Sequence, residues 1–185
     1  MSEPTEAELV QRVSEGDQMA FQAILDDQLM PISRFVARML GDASEAEDIS
    51  QEVFLRLWTH ADRFDPSVSK LTTWLHNIAH NLCIDHFRKR KRLVDREPDT
   101  DIEGGDEPDT ALFASIDSDN IRNGMMKLPE RQRSAIIMCH FQGLSNKDAA
   151  AILDVSVDAL ESLLARGRRS LRNILVEQQE IRSET

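Results

Sequence analysis

Residues 93–110, LVDREPDTDIEGGDEPDT, combine acidic residues with two prolines and two glycines and almost no apolar content. Such a segment cannot bury enough surface to offset its ordering entropy, so it has the composition of a flexible tether. A chain of 185 residues could form one domain or two small ones, and an interruption there favours two lobes. Both flanks carry apolar residues at helical spacing, with no alternating strand pattern and no internal repeat of useful length. The expected fold is therefore all-α: a first domain over 1–92, an acidic linker over 93–110 and a second domain over 111–185.

In the first domain the apolar positions Leu9, Val10 and Val13 predict a helix ending at the Gly16-Asp17 break. Phe21, Ile24, Leu25, Leu29 and Ile32 continue the pattern, and Pro31 predicts a kink or a new helix start because it lacks a backbone donor. Phe35, Val36, Met39 and Leu40 close that run against Gly41. Ser44 with Glu47 reads as the capping box of the next helix, whose apolar stripe is Ile49, Val53, Phe54, Leu57 and Trp58. Asp62 to Ser69, containing Pro66, reads as a loop. From Lys70 a further helix carries Leu71, Leu75, Ile78 and Leu82 on one face and ends in the cations Arg88 to Arg92. Cations suit any helix C-terminus, so a solvated end and a polyanion-binding patch both fit that run.

The second domain holds the most specific motif. It begins weakly through Ala111, Leu112, Ile116 and Ile121, and Leu128-Pro129-Glu130 opens a stronger helix with Ile136, Ile137 and Phe141, ended by Gly143. Leu144 to Arg172 then reads as a helix-turn-helix. Ala150 is the small residue at the helix contact, Asp154-Val155-Ser156 the turn, and Leu160 the inward residue of the second helix. Ser145 with Asp148 caps the first helix and Ser156 the second. Asp154 stands where glycine would most easily adopt the left-handed conformation, which Asp tolerates better than most residues. The pattern makes DNA the leading candidate partner, although two packed helices in an all-α protein meet the same spacing.

The formal net charge of −11 opposes phosphate binding by a free-standing protein. Its distribution is uneven: residues 93–126 carry 10 acids against 2 bases, whereas residues 127–185 carry 8 against 9. Two cysteines, Cys83 and Cys139, are too few for a disulfide framework and fit a reducing cytoplasm. No signal peptide or membrane span is expected. His76, His80 and Cys83 recur at i, i+4 and i+7, within about 60° on one helix face, roughly opposite the leucine stripe. Three such side chains can start a metal site, but no fourth ligand lies nearby in sequence, and the alternative is that the imidazoles face DNA or solvent. No nucleophile motif or phosphate loop stands out.

Three blocks in order, AEDISQEVFLRLW (Ala46 to Trp58), FDPSVSKLTTWLHNIAHNLCIDHFRKRKR (Phe64 to Arg92) and LPERQR (Leu128 to Arg133) through the helix-turn-helix, resemble the extracytoplasmic-function group of sigma-70 family RNA polymerase sigma factors. The resemblance implies that the two lobes are sigma region 2 and sigma region 4. It implies that Asp48, Gln51 and Glu52 grip the clamp helices of the polymerase beta-prime subunit. Thr73, Trp74, His76, Asn77, His80, Asn81, Arg88, Lys89, Arg90 and Arg92, with the Asp62 to Ser69 loop, are implied to hold melted minus-10 DNA, and Trp74 fits a core position equally well. Ser156, Val157, Asp158, Ala159, Glu161, Ser162, Arg166 and Arg169 are implied to meet minus-35 DNA. Many members carry Lys or Arg where this chain has Glu161 and Leu163, which puts the usual contacts there in doubt. No catalytic residue, metal or cofactor is implied. The implied partners are core RNA polymerase, promoter DNA and an anti-sigma factor, with no membrane contact, and the acidic segment also fits mimicry of nucleic acid in the RNA exit channel. The competing readings are an autonomous helix-turn-helix regulator, with residues 1–92 sensing or dimerising, and a protein-binding adaptor.

Overall fold

A computed structural model describes residues 4–94 and 119–183. Beyond Val94, the expected tether and the weak pattern at Ala111, Leu112 and Ile116 lie outside the described residues. The described residues form helices joined by turns and short loops, with no strand among them.

The first domain is built from four helices. Helix α1 (Glu6–Ser14) starts in a reciprocal capping box between Thr5 and Glu8. It ends before Gly16, whose φ of +87° lets the chain turn back. Asp17 then caps α2 (Gln18–Leu40) by accepting from the amides of Met19 and Ala20. Helix α2 runs unbroken through Pro31, so no second helix starts there. Burial of Gln28, Ile32, Phe35 and Val36 on either side holds the helical path across the missing donor. Helix α3 (Ala43–His60) is capped by Asp42, which accepts from the Glu45 amide at 3.0 Å. The Ser44 and Glu47 box expected from sequence is thus displaced: Asp42 offers an acceptor earlier, and both residues fall inside the helix. A 3₁₀ turn, Ala61–Arg63, leads into the loop, and α4 (Leu71–Val94) closes the bundle. Val10, Ile24, Phe35, Leu57 and Leu75 are among the fully buried side chains between these helices.

The second domain comprises α5 (Asp119–Met126), α6 (Glu130–Ile136), a π-helical turn (Ile137–Phe141), α7 (Asn146–Leu153) and α8 (Val157–Ser183). The helix expected from Glu130 to Gly143 is therefore α-helical only in its first half. The widened turn is marked by the Gln142 amide, which donates to the Ile137 carbonyl five residues back at 3.0 Å. The helix-turn-helix matches the sequence reading. Ser145 caps α7, Asp154 sits in the left-handed region at φ 52°, and Ser156 accepts from the Ala159 amide at 3.1 Å at the start of α8. Ala150 and Leu160 are buried. Close approach of α8 to α6 requires Gly167, where a Cβ would lie 2.8 Å from Ile136 Cδ1 and 3.3 Å from Gln132 Cβ.

The two domains pack together through α2 and α4 on one side and α5, α7 and the π-helical turn on the other. Ser134 Oγ donates to Met39 Sδ at 3.6 Å, the Arg38 guanidinium lies 4.6 Å from the Phe141 ring centre, and that of Arg133 lies 5.0 Å from the Phe87 ring centre.

Candidate nucleic-acid interface

Helix α3 presents Asp48 and Gln51 to solvent beside the half-buried Glu52, because Ile49, Val53 and Leu57 turn the opposite face into the core. Gln51 donates to Glu47 at 3.3 Å, and Glu52 pairs with Arg56 at 3.0 Å. One turn further along the same strip, Leu55 is 54 % exposed. Sequence reading missed it because an outward leucine looks no different from an inward one until the helix is placed. An exposed apolar side chain flanked by polar ones is a natural protein contact.

Between α3 and α4 lies a groove of about 550 Å³, lined by Glu52, Leu55, Arg56, Thr59, His60, Arg63, Trp74 and Ile78. Trp74 is half buried there, its ring tilted against Phe64 at 5.6 Å between centres. One wall is therefore aromatic and the other carries cations, the combination that stacks an unpaired base while drawing in its phosphate. Arg56, Thr59 and His60 belong to this groove and were not singled out from sequence, whereas Arg63 falls in the loop that was. The spacing of the first three on α3 was visible, but the opposing wall comes from another helix.

The α4 residues implied to meet DNA divide between two faces. Trp74, Asn77, Asn81 and Arg88 fall within about 60° of one another at 100° per residue. Asn77, Asn81 and Arg88 are exposed there, as are Lys89, Arg90 and Arg92 in the basic end. Glu45 at the start of α3 lies 3.1 Å from His86 and 3.9 Å from Arg90, fixing the course of that end. Thr73, His76 and His80, by contrast, are buried. The expectation that the imidazoles face DNA or solvent is overturned. His76 Nδ1 donates to the Thr72 carbonyl at 2.8 Å and Nε2 lies 3.3 Å from the Gln142 side-chain oxygen, across the domain boundary. Burial lowers the pKa of His76, and burial plus the neighbouring Arg131 lowers that of His80 to about 4. Burial also pushes the Cys83 thiol up to about 12. Among the described residues, no group of three His, Cys, Asp or Glu side chains is arranged to hold a metal ion.

On the second helix of the motif, Ser156, Val157, Asp158, Glu161, Ser162, Arg166 and Arg169 are exposed and Ala159 is half buried. Glu161 Oε1 lies 3.5 Å from the Asn146 amide, at the mouth of the helix pair. Leu163 packs against the core, so the side chain at this position is an inward apolar contact. Arg172 extends the exposed basic edge, while Arg168 reaches back to His140 at 3.3 Å.

The fold and these faces define a two-lobed helix-turn-helix protein with an aromatic and cationic groove on its first lobe. The family model for Sigma-70 region 2 matches residues 29–93, and that for Sigma-70 region 4 matches residues 118–171. The ECF RNA polymerase sigma factor SigW of Bacillus subtilis is 35% identical over 179 residues, covering 90% of this chain and 94% of that protein. The RNA polymerase sigma-H factor of Pseudomonas aeruginosa is 28% identical, covering 95% and 96%. Among solved structures, the sigma factor RpoE from Bartonella quintana in complex with the anti-sigma factor NepR superimposes with a TM-score of 0.73 at 29% identity, covering 84% of this chain and 96% of that one. CnrH in complex with the cytosolic domain of CnrY gives 0.68 at 25% identity, covering 93% and 97%. The chain belongs to the extracytoplasmic-function group of the sigma-70 family of RNA polymerase sigma factors.

Proposed function

We propose that this chain binds core RNA polymerase and directs it to promoters, the first domain docking on the enzyme and capturing melted minus-10 DNA, the second reading minus-35 duplex. The observation that carries the reading is the adjacency on α3 of the outward strip Asp48, Gln51 and Leu55 to the groove lined by Trp74 and Arg56. A protein-facing strip beside a base-sized aromatic pocket suits a subunit that opens DNA while held by its enzyme. Separating a base step costs about 1.4 kcal/mol of stacking on average, and stacking on an aromatic side chain returns about 1–3 kcal/mol per base.

The reading assigns Asp48, Gln51, Glu52 and Leu55 to the polymerase clamp. Trp74, Asn77, Asn81, Arg88, Lys89, Arg90 and Arg92 take the single strand and its phosphates, and Ser156 to Arg169 take the major groove. Residues 1–92 and 111–185 act as the two functional domains; of the linker expected over 93–110, Leu93 and Val94 belong to α4, and the rest joins the two. The net charge of −11 fits a subunit whose DNA contacts are made inside a larger enzyme that supplies cations. No described helix is long and apolar enough to cross a membrane, and the site of action is the cytoplasm, where the polymerase is. A protein inhibitor of the kind that NepR is for RpoE fits the exposed α3 strip, and pull-down from cells before and after stress tests for it.

The deciding experiment is run-off transcription with sigma-free core polymerase, the full chain and a genomic promoter library. Transcripts starting at defined sites support the reading. A gel shift of promoter duplex by the chain alone, with no effect on the polymerase, replaces it with an autonomous regulator.

A further inference from the structure

The face of α4 carrying His76, His80 and Cys83 continues to Phe87, and these four positions lie within about 60° at 100° per residue. Two of them touch the second domain, and the two between them lie within reach of its charges. His76 reaches Gln142, His80 feels the Arg131 charge, Cys83 feels Arg133 and Glu130, and Phe87 lies under Arg133. This is one continuous seam between the domains, and it is poorly satisfied. His80 Nδ1 and Arg133 Nε are buried without a hydrogen-bond partner, and Arg133 is only 6% exposed. Unpaired buried polar groups weaken an interface without preventing it.

We propose that this seam is an acid-sensitive latch, in which protonation of His80 releases the second domain from the first and frees both DNA-reading helices to span a promoter. The Arg131 charge opposes an imidazolium at His80. Helix α6 contributes Arg131 beside it, with Arg133 and Glu130 one turn away at Cys83. Helix α2 contributes Arg38, stacked on Phe141, and the exposed Arg34. The charged residues of α7 lie in its first turn, Lys147 exposed and Asp148 bonded to Ser145. The α3 carboxylates Glu45 and Glu52 are engaged by His86 and Arg56. Among the described residues no carboxylate is bonded to His80. Release matters because minus-35 and minus-10 lie about 85 Å apart along B-DNA at 3.4 Å per base pair. A compact body of this size is only about 40 Å across. The latch rests on the proposed promoter reading for that consequence alone.

The sign follows from linkage. His80 has a pKa of about 4 when latched, against the ordinary 6.5 once exposed, so the closed form is favoured in full above pH 6.5 and loses its advantage as pH falls toward 4. Between pH 7.5 and 5.5 the open-to-closed ratio rises about tenfold from this one group. Single-molecule energy transfer in the full chain, with dyes on unnatural amino acids at Gln22 and Asn173, both exposed, reads that ratio without polymerase or DNA. The expected result is a tenfold step in the wild type and a clearly smaller one in His80→Gln. A second neutral replacement, His80→Asn, also shrinks the step and decides the matter if His80→Gln fails to fold by circular dichroism. An equal ratio at both pH values, an undiminished step in the folded variants, or domains already apart at pH 7.5 would overturn the latch. Failure of the promoter reading shows instead in run-off transcription, with the distance change intact.

Discussion

Replacing Leu160 by Ala and, separately, its neighbour Glu161 by Lys probes two faces of one helix. Leu160 is 0% exposed, so Leu160→Ala removes three carbons from a closed site. At about 0.8 kcal/mol per buried carbon, with a cavity term added, the loss is about 3 kcal/mol. In a chain of this length that lowers the melting midpoint by about 6–12 °C. Glu161 is exposed and held only by a 3.5 Å contact to Asn146, so Glu161→Lys changes stability by less than about 0.5 kcal/mol. It exchanges an anion for a cation on the face proposed to meet the duplex. The expected effect is tighter binding of holoenzyme to minus-35 DNA, with the slope of log affinity against log salt steeper by about 0.9 for one added phosphate contact. Urea titration and fluorescence anisotropy at several salt concentrations measure both. A Leu160→Ala cost below about 1 kcal/mol, or a Glu161→Lys variant that loses stability and leaves the salt slope unchanged, would refute the assignment of faces.

Asp154→Gly relieves a left-handed backbone at φ 52° and raises stability by about 0.5 kcal/mol, readable as a higher urea midpoint. Trp74→Ala removes the aromatic wall of the α3–α4 groove and lowers promoter opening about tenfold or more, measured by permanganate reactivity of unpaired thymines, while core-polymerase binding is retained. Leu55→Asp does the reverse, weakening polymerase binding in a competition assay with little change in the melting temperature, because the side chain is 54 % exposed. Arg133→Met replaces a buried cation by an apolar chain of similar length and raises the stability of the closed form by about 1 kcal/mol, seen as a higher urea midpoint.

The helix-turn-helix was legible because its determinants are local. Ser145, Asp154 and Ser156 each act on backbone within three residues, and Ala150 and Leu160 meet across a short turn. Local signals misled where two of them competed. Asp42 and Ser44 both suit a cap and only position chose between them, while of the two outcomes expected at Pro31 the new helix start is absent because buried residues on both sides carry α2 through. The groove and the seam were not legible at all. Trp74 and Arg56 come from different helices, and the polar spacing of His76, His80 and Cys83 on α4 suits a metal or a solvated face as well as a contact whose partners lie some 50 residues away. The fourth member, Phe87, passed unnoticed because one aromatic among cations has no periodic signature.

The π-helical turn at Ile137–Phe141 has a consequence for how such a protein can change. One surplus residue there rotates everything downstream by about 100° relative to α6. It simultaneously sets where Phe141 and Gln142 touch the first lobe and the direction in which the helix pair after Gly143 is aimed. Deleting that residue to straighten the helix would swing both together, so grip on the sister lobe and bearing on the double helix are coupled through a single backbone defect.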